Sequence, residues 1–145
     1  MKATGIVRRI DDLGRVVVPK EIRRQMRIRE GDPLEIYTSS DGSVTFKRYV
    51  PMNEKDYAKA KQVLKAVLPN GAHFALYDLY GDLRDATDIS QFHGEHRIDR
   101  DEYIPDDYFE IRDYDCIGYL YIKGDVEENI KQTAVNVLTA FYKED

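Results

Sequence analysis

Residues 4–29 read TGIVRRIDDLGRVVVPKEIRRQMRIR, and this stretch decides the fold and the chemistry of the first third of the chain. It carries eight basic side chains within 22 positions, around a Gly-Arg turn and a helical turn that begins with proline. Arginines on a short helix, a turn and strand ends commonly form surfaces that hold phosphate groups. By itself, the pattern fits a solvated charged surface and a polyanion-binding surface about equally. The eight basic residues are Arg8, Arg9, Arg15, Lys20, Arg23, Arg24, Arg27 and Arg29.

Charge is distributed unevenly along the chain, and the overall net charge of −5 conceals this. Residues 1–50 hold 11 basic and 7 acidic residues, a net of +4. Residues 51–145 hold 11 basic and 20 acidic residues, a net of −9. A basic part joined to an acidic part is expected of a polyanion-binding module attached to a second domain. We therefore predict two domains, residues 1–50 and residues 53–145.

The composition predicts a cytoplasmic protein without a membrane segment. Apolar runs such as Val16–Val18 are far shorter than the roughly 20 residues that a membrane span needs. Met1-Lys2 is not followed by the apolar region of a signal peptide. The single cysteine, Cys116, cannot form an intrachain disulfide, which fits a reducing compartment.

Short segments of the first domain predict a mostly β structure with one helix. Residues 4–10 and 15–18 are predicted strands on the two sides of an Asp-Asp-Leu-Gly turn, in which Gly14 can adopt a positive φ. Pro19 fits the first position of a helix that continues over residues 20–27. A β-hairpin follows, with strands at 34–38 and 43–48 around a turn at 39–42.

The apolar residues of this first domain are too few for a stable core. A unit of this size without a disulfide or a metal seldom folds alone, and a core shared between two chains is the natural solution. We therefore predict an obligate homodimer through residues 1–50. The apolar residues in question are Ile6, Val16, Val18, Ile22, Met26, Leu34, Ile36, Val44 and Phe46.

A family pattern is carried by Thr4–Arg9, Asp12–Val17, Pro19, Glu21, Arg23, Arg24, Gly31 and Asp32. With these residues the chain, from Met1 to about Tyr49 and without a gap, resembles the AbrB/SpoVT family of DNA-binding proteins. The resemblance implies a swapped-hairpin fold, in which two chains interleave β-hairpins and present a basic face to double-stranded DNA. It implies DNA contacts by Arg8, Arg15, Arg23 and Arg24 and a basic family position at Arg9. Lys20 and Arg27 complete the set of candidate DNA-binding residues.

One short helix offers little opportunity to read base edges directly. Recognition is therefore expected to depend mostly on groove width and flexibility, which favours deformable A·T-rich promoter DNA. A protein of this kind is expected in the cytoplasm, associated with the nucleoid.

The second domain is predicted to be α+β, in the order helix, strand, variable middle, strand, helix. Asn53 is the predicted N-cap of the first helix, with Asp56 near the positive end of the helix. Strands are predicted at 72–79 and 116–123, and residues 83–98 show little periodicity. The apolar stripe of the first helix consists of Tyr57, Ala60, Val63, Leu64 and Val67.

The last helix is predicted to begin at a capping box formed by Asp125 and Glu128. The whole segment resembles a shortened GAF-type sensor domain, and the sequence leaves open whether it holds a ligand. Association into a homotetramer through residues 53–145, or sensing of a signal, is the expected role. The predicted buried residues of the last helix are Val126, Ile130, Ala134, Val137, Leu138 and Phe141.

Histidines and acids in the second domain raise the question of a metal site. His93 and His96 flank Glu95, but no third ligand follows at a familiar spacing, so ordinary satisfied or exposed histidines, His73 included, are favoured. Residues 99–115 hold eight carboxylates in 17 residues. They lack the alternating ligands of an EF-hand loop, and a solvated acidic loop that keeps this domain away from DNA is the favoured interpretation.

Catalysis is not expected of this sequence. Cys116 begins an apolar strand without a basic neighbour in sequence, which favours a buried, inert thiol. We find no phosphate-binding loop, nucleophile elbow or pair of catalytic carboxylates, and we predict neither cofactor nor metal. The favoured function is a DNA-binding transcription regulator of the transition-state or sporulation type. The alternative is the antitoxin of a toxin–antitoxin pair, which would use the same kind of DNA-binding domain.

Overall fold

A computed structural model describes residues 1–92, 98–100 and 108–143 of the chain. The chain divides into two compact units, an N-terminal unit of residues 1–49 and a C-terminal unit that begins at residue 50. The N-terminal unit consists of one helix, one hairpin and extended segments, whereas the described part of the C-terminal unit contains a four-stranded sheet and two α-helices.

In the N-terminal unit, the predicted helix and hairpin are confirmed. Helix α1 is Lys20–Met26, and an antiparallel hairpin joins β1, Leu34–Thr38, to β2, Val44–Arg48. Pro19 is the N-cap of α1, whereas the prediction made it the first residue of the helix. The apolar side chains of α1 and of the hairpin thus come from segments close in sequence.

Two predicted strands of this unit, residues 4–10 and 15–18, are not strands in the single chain. Between them, the backbone N–H of Asp11 donates to the carbonyl of Arg15 at 3.0 Å, and no ladder extends from this bond. A strand is defined by its pairing with a neighbour, and one copy of the chain brings no neighbour to these segments. The prediction was wrong for this reason, since β-branched composition favours an extended backbone without supplying its partner.

None of residues 1–49, all of which the structure describes, is buried. Val17 is 70% exposed, Ile36 61% and Phe46 43%. Each large apolar side chain left in water forgoes the ~1.5–3 kcal/mol that burial would contribute. One copy of the N-terminal unit therefore has no core of its own.

The C-terminal unit begins with α2, Glu54–Val67, and its N-terminus is capped as predicted. The Asn53 side chain accepts the N–H of Asp56 at 3.0 Å, and the Asp56 carboxylate accepts the N–H of Asn53 at 2.9 Å, which completes a capping box. The buried residues of this helix, Tyr57, Ala60 and Leu64, belong to the predicted apolar stripe.

The sheet of this unit is antiparallel throughout. Its strands are β3, His73–Asp78; β4, Leu83–Ala86; β5, Tyr108–Asp113; and β6, Asp115–Lys123. Their order across the sheet is β4-β3-β6-β5. A short 3₁₀ helix, Ile89–Phe92, follows β4, and the last α-helix, α3, is Glu128–Lys143. The predicted α+β architecture is confirmed in this form, and the GAF-type resemblance stays a prediction.

Apolar residues cover both faces of this sheet. On one face, Phe74 and Leu76 of β3 pack with α2 and α3 in a cluster that includes Leu120 of β6. On the other face, Tyr77 and Tyr119 pack with Phe92 of the 3₁₀ helix and with Ile98. A sheet buried on both sides gives the C-terminal unit the core that the N-terminal unit lacks.

Two strands, β4 and β5, were not predicted from the sequence, because charged residues interrupt the apolar pattern that indicates a strand. β4 lies in the stretch that shows little periodicity, and its charges are paired with α2: Arg84 lies 2.7 Å from Glu54, and Lys61 lies 3.4 Å from Asp85. β5 lies inside the predicted acidic loop, where Ile111 is fully buried between charged neighbours. The loop prediction was therefore wrong for residues 108–113, while residues 101–107 lie outside the described residues.

The start of α3 also differs from the prediction. The carbonyl of Glu127 accepts the N–H of Lys131 at 3.1 Å, so the helix begins at Glu128 and not at Asp125. Val126 is buried ahead of the helix and packs in the core cluster. Ala134 and Leu138 are buried as predicted, whereas Val137 is 37% exposed and Val135 is buried in its place.

Asp78 is the only buried charged residue in the described part of the chain. One carboxylate oxygen accepts the N–H groups of Tyr80 at 2.9 Å and Asp82 at 3.0 Å, which closes the β3–β4 turn. The other oxygen lies 3.5 Å from the Arg84 guanidinium. Burial raises the pKa of this carboxyl above its usual value.

We expect Gly81→Ala to destabilise the C-terminal unit by about 3 kcal/mol, since it adds a clash to backbone strain. Gly81 has a φ of +89°, and a Cβ there would lie 2.2 Å from the carbonyl oxygen of Ile98. Gly71→Ala is the matched control: its φ is +93° with open space around the Cβ, and strain alone should cost about 1 kcal/mol. Urea unfolding followed by far-UV circular dichroism measures both, and equal losses would contradict the clash.

Candidate nucleic-acid interface

The turn between the two extended N-terminal segments is organised by a single carboxylate. Asp11 accepts the backbone N–H of Leu13 at 2.9 Å and that of Arg15 at 2.8 Å, both at Oδ1. Its Oδ2 accepts the Nε–H of the Arg15 guanidinium at 2.9 Å. Gly14 has a φ of +78° and donates its N–H to the Asp11 carbonyl at 3.1 Å. This turn holds one arginine in a defined orientation.

Helix α1 presents the next group of cations and ends in a Schellman motif. The N–H of Ile28 donates to the Arg23 carbonyl at 3.0 Å, and the N–H of Arg27 donates to the Arg24 carbonyl at 3.1 Å. Arg27 has a φ of +53° at this C-terminus, a conformation that favours glycine. A left-handed conformation costs an L-residue roughly 1–2 kcal/mol, and the sequence does not show this strain.

All seven predicted DNA-binding residues lie in the N-terminal unit, and the structure describes each of them. Arg23 is oriented by its Nε–H, which donates to the Val18 carbonyl at 3.1 Å. The Arg8 guanidinium donates to the carbonyl of the neighbouring Val7 at 3.1 Å. Lys20 is the first residue of α1. The exposed members of the predicted set are Arg8, Arg9, Arg15, Lys20, Arg23 and Arg24, and Arg27 is half-buried.

An apolar groove of about 440 Å³ lies within the same unit. It is formed by the extended segments, α1 and the hairpin, and Arg8 is among its lining residues. Val16 is 48% exposed and Phe46 is 43% exposed in this groove. Its apolar lining includes Ile6, Val16, Val18, Ile22, Leu34 and Phe46. All the residues predicted to share a core between chains except Ile36 therefore line one concave surface.

Of the other candidate residues, which lie in the C-terminal unit, the structure describes His73 and Cys116. The His73 ring lies 3.3 Å from the Thr87 hydroxyl, and burial raises the pKa of the Cys116 thiol above its usual value. His93, Glu95 and His96 lie outside the described residues. Elsewhere, within those described, no group of three or more His, Cys, Asp or Glu side chains could hold a metal ion.

Across residues 1–92, 98–100 and 108–143, the structure has no helix with the length and apolar character that crossing a membrane requires.

In a comparison with known proteins, residues 7–50 match the model of the family described as "Antidote-toxin recognition MazE, bacterial antitoxin". Stage V sporulation protein T of Bacillus subtilis (strain 168) is 68% identical over 65 residues, a match that covers 41% of this chain and 36% of that protein. The transition state regulatory protein AbrB of the same strain is 55% identical over 51 residues, covering 35% of this chain and 52% of AbrB. The chain thus spans about a third to a half of these two relatives.

A third relative is matched over its whole length. Abh of Bacillus subtilis (strain 168) is 31% identical over 96 residues, which covers 59% of this chain and 100% of Abh. A solution structure of the N-terminal DNA recognition domain of AbrB is 53% identical, covers 34% of this chain and 91% of that domain, and has a TM-score of 0.29. The chain belongs to the AbrB/SpoVT family, as its N-terminal residues predicted.

Proposed function

We propose that this chain is a DNA-binding transcription regulator of the transition-state or sporulation type. The observation that carries the proposal is the identity of its N-terminal part to two curated relatives, 68% over 65 residues to stage V sporulation protein T and 55% over 51 residues to the transition state regulatory protein AbrB. The names of AbrB and of stage V sporulation protein T point to the same class of function. A role without catalysis, in the cytoplasm and at the nucleoid, is part of this proposal.

The arginines supply the binding chemistry in this proposal. A guanidinium offers a permanently charged, two-pronged donor to phosphate or to guanine, and each neutralised phosphate releases counterions. Six of the seven proposed residues are exposed, so their charges are accessible to a ligand. We propose that Arg8, Arg15, Arg23 and Arg24 contact DNA directly, with Arg9, Lys20 and Arg27 adding to the positive potential.

A homodimer through residues 1–50 is the second part of the proposal. A unit without a buried residue is not expected to hold its fold alone, and the apolar groove supplies a surface that a second copy can cover. The unpaired extended segments offer backbone groups for strand pairing with that copy. Interleaved hairpins would bury the groove and pair those segments together.

The C-terminal unit is proposed to associate further or to sense a signal. Its outer α3 surface supports association, because residues 132–142 contain no charged side chain in a chain that is 34% charged. Gln132 bonds to Asn136 and Thr133 bonds to the Asn129 carbonyl, so these polar groups are satisfied within the helix. A tetramer formed in this way would carry two DNA-binding dimers and raise affinity by linkage.

DNA binding is tested with the full-length protein by fluorescence anisotropy. A labelled A·T-rich duplex and a G·C-rich duplex of equal length are titrated at two salt concentrations. We expect tighter binding to the A·T-rich duplex and a log–log salt slope of about −5 or steeper, since four or five arginines per chain act in a dimer. Absence of binding at the lower salt concentration would overturn the proposal.

We expect Arg27→Gly to stabilise the N-terminal unit by about 0.5–1 kcal/mol while weakening DNA binding a few-fold. Glycine relieves the strain at a φ of +53°, and the cation is lost. Arg27→Ala is the control, because it removes the same cation and keeps the strain. Thermal unfolding separates the two variants, and anisotropy should give them the same affinity. A glycine variant no more stable than the alanine variant would contradict the strain argument.

The antitoxin function is the second candidate, favoured by the family model that matches residues 7–50. In that case the C-terminal unit would bind a toxin. A region that folds only on binding a toxin would not be expected to have a core like that of this unit, with Leu76 and Leu120 fully buried. Affinity purification from the native host discriminates the two: a stoichiometric protein partner favours the antitoxin, and a homo-oligomer alone favours the regulator.

A further inference from the structure

Asp11 is an exposed acidic residue between Arg9 and Arg15, in the segment proposed to bind a polyanion. Simple electrostatics predicts that it opposes DNA binding, as any carboxylate near phosphate does. The structure gives this residue three hydrogen bonds through its side chain, and two of them go to Arg15. The backbone N–H of Arg15 is the main cause that lowers the pKa of the Asp11 carboxyl, which is therefore ionised at neutral pH.

The geometry of the Arg15 contact leaves the end of the guanidinium available. Of the N–H groups of the Arg15 guanidinium, Asp11 accepts only the Nε–H, at 2.9 Å from Oδ2. The Arg15 side chain is 69% exposed. The two Nη groups form the edge that binds a phosphate or a guanine with two parallel bonds. Asp11 thus holds the side of the guanidinium and leaves its binding edge free of this contact.

We propose that Asp11 is a positioning residue for DNA binding, which acts by holding the Arg15 guanidinium and the turn around it in the binding orientation. The inference rests on the proposed function. A long arginine side chain loses rotamer freedom when it binds, and a side chain that is already held loses less. Removal of this carboxylate therefore weakens DNA binding, although it makes the surface more positive.

Asp12 supplies the matched control. It is the adjacent residue in the same turn, carries the same charge and is exposed. Asp12→Asn and Asp11→Asn change the net charge equally, but Asp12→Asn leaves the hydrogen bonds between Asp11 and Arg15 in place. The asparagine at position 11 keeps an oxygen for the N–H groups of Leu13 and Arg15 and loses the carboxylate opposite Nε.

The experiment measures anisotropy of an A·T-rich duplex with the full-length protein and its variants. We expect Asp12→Asn to tighten binding up to about three-fold through its charge and Asp11→Asn to weaken binding about three- to ten-fold. The same pair is then measured with Arg15→Ala added. In that background Asp11→Asn should no longer weaken binding and should behave like Asp12→Asn, because the group that Asp11 holds is absent.

The outcomes separate the inference from the proposed function. Wild-type protein that fails to bind DNA would overturn both. Wild-type binding with an Asp11→Asn variant that binds as tightly as Asp12→Asn would overturn the positioning role alone. An equal weakening by Asp11→Asn with and without Arg15 would also overturn it, since a general loss of turn structure would then be the cause. Circular dichroism of each variant verifies that the fold is retained.

Discussion

Replacement of both Arg15 and Arg23 by alanine should weaken the binding of full-length protein to duplex DNA by about 100-fold or more at ~0.1 M salt. A dimer would lose four guanidinium groups, and the log–log salt slope should become less steep by about 3 to 4 units if each group neutralises one phosphate. The loss should be similar for all sequences, because phosphate contacts carry no sequence information directly. Anisotropy at four salt concentrations measures both the affinity and the slope.

The matched control removes the same charge from the C-terminal unit. Lys55 and Lys59 are exposed on α2, and replacing both by alanine changes the net charge as the arginine pair does. We expect less than about three-fold change for this control, because charges outside the interface act only through a screened field. Arginine and lysine variants that weaken binding equally would assign the effect to overall charge and count against the interface.

Replacement of Phe46 by aspartate should abolish dimer formation and, with it, DNA binding. In the single chain Phe46 is 43% exposed, so the substitution should cost this form little. In the proposed dimer the groove is covered, and each chain would bury a carboxylate among apolar side chains at a cost of several kcal/mol. Sedimentation velocity measures the molar mass, and anisotropy of the same sample measures DNA binding.

Tyr37→Asp is the matched control for the dimer prediction. Tyr37 is an aromatic residue of the same hairpin with a similar exposure of 45%. It does not line the groove, and its ring lies 5.5 Å from the Lys47 ammonium. We expect this variant to retain the assembly of the wild type. If Phe46→Asp sediments like the wild type, the groove is not the subunit interface, and the proposal of interleaved hairpins fails.

Much of the N-terminal unit could be predicted from its sequence, because its signals are local. Pro19, the turn at residues 39–42 and the alternation on each side of that turn act within a few residues. Helix α1 and the hairpin follow from them. The extended segments were assigned as strands on the same local signals, and there the prediction was wrong for the single chain. Pairing depends on a partner, and composition alone does not specify one.

The residues of the candidate interface were likewise predicted only in part from the sequence. The arginines were identified from their density and from the family pattern. The role inferred for Asp11 was not identified from the sequence. An aspartate two residues before Leu13 and three before Gly14 is nevertheless a pattern typical of an Asx-turn. Only the hydrogen-bond distances to Leu13 and Arg15 distinguish Asp11 from Asp12. The strain at Arg27 likewise follows from where α1 ends, which sequence defines only to within a residue or two.

For the C-terminal unit, the sequence by itself determined the elements whose apolar residues recur with a clear period, which are α2, β3, β6 and most of α3. Tertiary structure alone decided β4, because its charged residues are compensated by neighbours distant in the chain, as Arg84 is by Glu54. It also decided β5, where Ile111 is fully buried in the core between charged residues. It also decided the start of α3 and the exposure of Val137, because the packing of the helix against the sheet selects which of its faces is buried. The period of the apolar residues shows which side chains of a segment share a face. Which face is buried depends on what the rest of the chain packs against that segment.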